Sequence, residues 1–289
     1  MLPFLVAGLA LGSMYALSGT GLVLLYRASG TLNLAQGAFG AIAVLVSWEL
    51  NEVYNVAQGP ALVAGFLLAP ALSVLWGWLV GPRLSSREPV VRATATLGPA
   101  LALLGLANYH WNDKARTLRL PTDLAGFDAA GVRISLTQVL ALVLTLGTTA
   151  VATVLLRVTR TGTAMRALAD DRELSSMLGV RVRRVEVLAW AVSGVLAGAS
   201  AILLAGLTVL SAGNLTFLVI PALAAALMGR LVSLWATLAG GLGIGVLQAA
   251  VIPVAALSPY RNVIPFVCAV AMTLWLSRRV TYTTRTGSV

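Results

Sequence analysis

Two side-chain amides, Asn33 and Gln36, stand between apolar stretches with Gly37 and Gly40 beside them, in the run Thr31-Leu32-Asn33-Leu34-Ala35-Gln36-Gly37-Ala38-Phe39-Gly40. An uncharged amide inside a membrane can pair with backbone groups freed where a helix restarts, or with the two charges of a zwitterion. Interhelical hydrogen bonding and close packing through small residues satisfy the same pattern. The second constellation is charged. Seven of the 20 Lys and Arg residues fall between Arg157 and Glu186, together with Asp170, Asp171 and Glu173. Catalytic motifs are missing: there is no HExxH and no GxSxG. The single His110 stands beside Trp111 at a span end, where an interfacial residue is expected more than a ligand. The single Cys268 lies in an apolar run, so one chain can form neither an internal disulfide nor a cysteine metal site. No cofactor, metal or enzymatic activity is expected.

The elements that position these groups belong to a membrane. With 58% hydrophobic and 10% charged residues and a mean hydropathy of +0.90, a chain of 289 residues has too few polar groups to cover a soluble domain. The net charge of +10 comes from arginines set between apolar spans without interleaved aromatics, which reports topology and excludes a nucleic-acid partner. A hydrocarbon core of about 30 Å takes roughly 20 apolar helical residues. Nine candidate passages result: Leu2 to Tyr26, Leu34 to Leu50, Pro60 to Val80, Ala93 to His110, Ile134 to Leu156, Val187 to Leu207, Leu215 to Gly229, Leu231 to Ile252 and Val263 to Leu276. The second, seventh and ninth are short and are expected to include re-entrant or broken helices, so the expectation is eight or nine transmembrane helices. The first stretch has no basic start and is expected to be retained as a span rather than cleaved. The fold class is all-α, one polytopic transmembrane domain over residues 1–289.

Cytoplasmic loops accumulate Lys and Arg. With the N terminus outside, Arg27, Arg83, Arg87, Arg92, the seven of the block, Arg230, Arg278, Arg279 and Arg285 lie inside. Lys114, Arg116, Arg119, Arg133 and Arg261 lie outside, where Asp113 is one of five acidic residues. The expected location is the inner, plasma membrane, with the C terminus in the cytoplasm.

The block from Arg157 to Glu186 has the punctuation of folded structure. Asp170 can N-cap a helix starting at Asp171, with Glu173 at the third position reaching back as in a capping box. Gly179 suits the left-handed position after Leu178, and Val180 can pack back on Leu174. Upstream, Ala164, Met165 and Leu168 suggest a further turn or two whose apolar face points away from that of Leu174, Met177 and Leu178. Two short cytoplasmic helices with a break near Asp170 are expected. A plain positive-inside loop resting on lipid headgroups is the other reading.

Ion-coupled transporters and intramembrane enzymes need ionisable groups at depth, and this chain has almost none. Transport would have to draw its energy from elsewhere, and a stiff cytosolic helix pair could serve as a lever for a separate ATPase. The chain has no GxxxxGK[ST] phosphate loop of its own.

Gly12-Ser13-Met14-Tyr15-Ala16-Leu17, the Asn33 to Phe39 stretch, Thr96-Leu97-Gly98, and Gly162-Thr163-Ala164-Met165-Arg166-Ala167 through Leu178-Gly179-Val180 resemble the permease subunits of branched-chain amino acid ABC transporters, over most of the chain and in order. The resemblance implies a permease that pairs with a second, similar one, docks cytosolic ATPase subunits and receives substrate from an extracytoplasmic binding protein. It implies coupling through Arg166, Asp170, Asp171, Glu173 and Gly179, and a path beside Asn33 and Gln36. Two departures stand out: Gln36 and Ala38 where the family often has His or Glu, and Arg230 in Met228-Gly229-Arg230-Leu231 where a small residue is usual. A sugar or nucleoside permease, and a non-transporting scaffold or sensor subunit, remain as alternatives.

Overall fold

The computed structural model describes residues 2–84, 87–112, 114–129, 132–254 and 258–285; Asp113 lies outside them, as do the side chains of Arg278, Arg279 and Arg285. The chain is helical almost throughout. Long helices are α1 (Leu2–Ser29), α3 (Gln58–Leu84), α4 (Pro89–Trp111), α6 (Leu136–Val158), α9 (Val182–Ala205) and α12 (Leu234–Val251). Shorter ones are α2 (Gln36–Glu52), α5 (Pro121–Leu124), α7 (Arg160–Asp170), α8 (Arg172–Met177), α10 (Ala212–Thr216) and α11 (Val219–Met228), and α13 (Ile264–Arg285) follows a 3-10 turn, Ser258–Val263.

Among the described residues, six helices are long and apolar enough to cross a membrane, where nine passages were counted from sequence. The difference lies in the three stretches flagged as short. The second is the 17-residue α2, the seventh is broken into α10 and α11, and the ninth is apolar over Tyr260–Trp275. One element escaped the all-α expectation: β1 (Gly126–Ala129) and β2 (Val132–Ser135) pair antiparallel, Gly126 opposite Ser135, and Ser135 then caps α6 by accepting from the Gln138 amide.

Helix α1 is the hub, packed against α6, α9, α11 and α12 and buried on all sides from Gly12 to Leu25. The pairs Gly8/Gly12 and Gly241/Gly245 explain its closest contact. A Cβ on Gly12 would stand 2.7 Å from the Gly241 carbonyl, and one on Gly245 2.3 Å from the Gly12 nitrogen, so the α1 and α12 backbones touch directly. Tyr15 reinforces the seam, its hydroxyl donating to Gln248 Oε1 at 2.9 Å. Gly194 and Gly198 serve likewise where α9 crosses α3 at Ala69 and Pro70. Helices α3, α4 and α6 form the periphery and turn Val63, Leu67, Leu101, Val143, Val151 and Val154 outward, as hydrocarbon-facing helices do.

The turn from α11 to α12 gives the Arg230 departure a physical meaning. Arg230 and Leu231 have φ of +54° and +56°, the left-handed region in which a side chain crowds its own backbone. Glycine occupies such positions without that cost.

Candidate functional site

Helix α1 ends at Ser29, and Gly30, at φ +64°, reverses the chain. Arg92 of α4 donates to the Ser29 carbonyl at 2.9 Å and so closes the carboxyl end of α1. Residues 31–35 then run back along α1, and α2 starts at Gln36 level with Ser18. Since Ser18 precedes Ser29 by eleven residues, α2 begins about 16 Å back along the α1 axis. The backbone freed along the way is satisfied by a neighbour: Thr96 Oγ1 accepts from the Leu34 amide at 2.9 Å and lies 3.0 Å from the Leu32 carbonyl. Asn33 Oδ1 accepts from the Ala35 amide at 3.1 Å, a local turn of the kind Asn forms readily.

Gln36 is 1% exposed and its amide is fully engaged. Its Nε2 donates to the Ser18 carbonyl at 2.7 Å and lies 2.9 Å from Ser18 Oγ, while Ser193 Oγ donates to its Oε1 at 2.9 Å. The side chain joins α1, α2 and α9 at one point. Asn33 is fully buried, and its Nδ2 is among the buried donors without a partner. Ser18 and Ser193 were not singled out in the sequence; the signal that points to them is the amide itself, which in an apolar setting requires hydroxyl or carbonyl partners. Replacing Gln36 by Leu is expected to lower stability by about 1–2 kcal/mol, since it strands Ser18 and Ser193. Thermal unfolding of the purified chain checks this, and an unchanged midpoint together with reduced uptake would assign Gln36 to the substrate path instead of to packing.

Gly37, next along α2, faces the break between α10 and α11. A Cβ there would lie 2.0 Å from the Thr216 carbonyl oxygen, closer than any side chain tolerates. Two interrupted helices therefore meet backbone to backbone beside Gln36.

At the far end of α6 the chain turns through Thr159, which caps α7 by accepting from the Gly162 amide at 3.0 Å. Gly162 presses on the last turn of α6, where a Cβ would meet the Leu155 carbonyl at 2.4 Å. The break between α7 and α8 falls one residue later than expected. Asp170 closes α7, and Asp171, extended at φ −150° and ψ 110°, is the cap of α8, accepting from the Leu174 amide at 2.9 Å. Glu173 thus stands at the second helical position, where no capping box forms. Asp170 and Asp171 are equally good caps by type; which one leaves helical geometry is settled by where α7 must stop. At the other end Gly179 takes φ +86°, its amide donating to the Ser176 carbonyl and that of Val180 to Ser175, each at 3.1 Å, which is the Schellman pattern. Val180 packs against the cluster of Leu168 and Val185, and Leu174 stays exposed.

Helix α8 is a short rod, capped at both ends and fastened by an ion pair from Arg172 to Glu186 on α9. Its apolar edge is uncovered: Leu174, Met177 and Leu178 are 54%, 78% and 76% exposed. Helix α7 turns Leu168 inward, into a cluster that also holds Ala35, Ala38 and Phe39 of the α2 start and Trp190 of α9. Arg166 is exposed and near Thr163. The expected coupling residues are thus gathered on one device, and one apolar cluster links that device to the segment bearing Asn33 and Gln36. His110 pairs with Glu49 at 3.1 Å on the surface, and among the described residues no group of three His, Cys, Asp or Glu side chains could hold a metal ion.

A family model described as the permease component of the branched-chain amino acid transport system matches residues 4–273. The high-affinity branched-chain amino acid transport system permease protein LivH of Escherichia coli (strain K12) is 27% identical over 92% of this chain and 91% of its own length. The corresponding protein BraD of Pseudomonas aeruginosa is 28% identical over 85% and 84%. The solved structure of PsaBC from Streptococcus pneumoniae in complex with Fab aligns with a TM-score of 0.45 and 15% identity over 94% of this chain and 89% of that one.

Proposed function

The chain belongs to the branched-chain amino acid transport permease family, and from that premise we propose that it forms the translocation path for branched-chain or related small amino acids in an ATP-binding cassette importer. Hydrolysis belongs to separate cytosolic ATPase subunits, a second permease completes the path, and an extracytoplasmic binding protein delivers the substrate. The match over residues 4–273 carries the reading of function, and the uncovered edge of α8 supports the reading of coupling. Leu174, Met177 and Leu178 form an apolar contact suited to a groove on an ATPase, on a rod too well capped to yield when pushed.

In this proposal the chain crosses the inner membrane eight or nine times, N terminus outside and C terminus cytoplasmic, the arrangement that the distribution of arginines favours. Six passages are the long helices. The others are residues 31–52, with the extended leg before α2, the leg that contains α10 and α11, and α13. Asn33 and Gln36 stand at the first of these interruptions, and the unpartnered Nδ2 of Asn33 is the donor available there to a substrate carboxylate or a freed carbonyl.

Arg166, Asp170, Asp171, Glu173 and Gly179 are proposed as coupling residues. Arg166→Glu and Gly179→Val are each expected to abolish uptake in membrane vesicles while the chain still inserts. The valine costs α8 its stop, about 1–2 kcal/mol of left-handed strain placed on a six-residue helix. Normal uptake in both variants would remove the coupling assignment. The transport reading itself is tested by substrate-stimulated ATP hydrolysis of the reconstituted complex with leucine, isoleucine and valine; a complex whose hydrolysis ignores all three carries something else.

A further inference from the structure

Three guanidinium groups converge at the end of the bundle that carries α7. Arg27 near the end of α1, Arg157 at the end of α6 and Arg166 on α7 line one cavity of about 250 Å³, together with Ser233 and Trp235 at the start of α12. Among the described residues the ion pairs are His110 with Glu49 and Arg172 with Glu186, so none of these three arginines has a carboxylate at contact distance. Asp170 is the acid within electrostatic range of Arg27, and it leaves the cavity with a surplus of positive charge. The amino end of the 18-residue α12 adds to that surplus, its partial positive charge directed to the same side. Arg27 is held in place by donating to the Val232 carbonyl at 3.3 Å.

The cavity's surroundings are those of a membrane boundary. Leu156 is buried in its wall, and the exposed Val232 and half-exposed Trp235 stand at its edge. Arginines that converge without an acid partner bind phosphate through paired N–H donors, and a Trp at such a boundary sits at headgroup level. A free phosphate would need no exposed Val232 and Trp235 at the rim.

We infer that this cavity binds the headgroup phosphate of an anionic phospholipid, the lipid tying α7 to α1, α6 and α12. Basic pockets between transmembrane helices take such headgroups. The inference rests on the membrane reading of the chain and is independent of which substrate it carries.

The test is native mass spectrometry of the full chain purified in mild detergent and titrated with phosphatidylglycerol, phosphatidylcholine or inorganic phosphate. The wild-type chain is expected to retain a phosphatidylglycerol adduct at activation energies that strip phosphatidylcholine. Arg27→Gln and Arg157→Gln are each expected to weaken retention about fivefold, and Arg119→Gln at the other end of the bundle to leave it unchanged. Arg157 is exposed, so its replacement keeps the test valid if the partly buried Arg27 proves necessary for folding. Equal retention of the two lipids, or undiminished phosphatidylglycerol on Arg157→Gln, overturns the site. Displacement of the lipid by millimolar inorganic phosphate overturns the choice of a lipid and leaves a soluble anion as the occupant.

Discussion

Gly37→Ala is expected to yield little folded protein and no uptake. The added methyl would stand 2.0 Å from the Thr216 carbonyl oxygen, and the obstacle is backbone, which cannot step aside as a flexible side chain would. Relief requires the start of α2 to move away from α10 by more than an ångström, but Gln36 is held next door by Ser18 and Ser193. Overpacking of this kind costs about 3 kcal/mol, a large share of the stability of an ordinary domain. The check is the thermal midpoint of the purified chain beside that of Gly59→Ala, where nothing lies within 4 Å of the added carbon. If Gly37→Ala matches Gly59→Ala in midpoint and uptake, the two interrupted helices do not meet as described.

The second large effect is functional. Met177→Asp combined with Leu178→Asp places two charges on the uncovered edge of α8 and disturbs almost nothing inside the chain, because both side chains are exposed. Membrane yield and thermal midpoint should stay at wild-type values. Affinity for the ATPase subunits should drop by about three orders of magnitude, on the basis that each of two lost anchors at the centre of an interface costs about 2 kcal/mol, so that they no longer co-purify and uptake reaches background. Recovery of the usual amount of ATPase with the double variant would place the docking contact elsewhere, and α8 would then be a brace for α9.

The two experiments address parts of the chain that were unequally legible. The long apolar spans could be read directly, because hydropathy acts locally. Asn33 and Gln36 were visible as polar groups out of place, but their partners were not. Ser193 lies 157 residues from Gln36, and nothing in its neighbourhood distinguishes it from any other small residue of α9. The same holds for Thr216 opposite Gly37. The shift of the α8 cap from Asp170 to Asp171 is a different case: two identical residues compete, and the outcome depends on how far α7 can extend before Leu168 is seated. The small hairpin at residues 126–135 was missed because strands of four residues offer too few positions for an alternation to emerge. The turn at Arg230 and Leu231 was legible only as an oddity of residue type, and the backbone angles supply its reason.

The glycine seam between α1 and α12 governs how motion passes through the chain. Helices that touch through side chains can slide, because side chains change rotamer and refill the gap. Here the contact surfaces are main chain, and a shift of one residue would drive Leu242, whose Cα already lies 2.7 Å from where a Cβ on Gly12 would be, into the groove that glycine leaves open. With Gln36 pinning α2 and α9 to the same hub, the inner helices form a block without an internal joint. In the coupling proposed for α8, work delivered there is expected to turn that block as a solid body, as a door turns on its frame, instead of bending it.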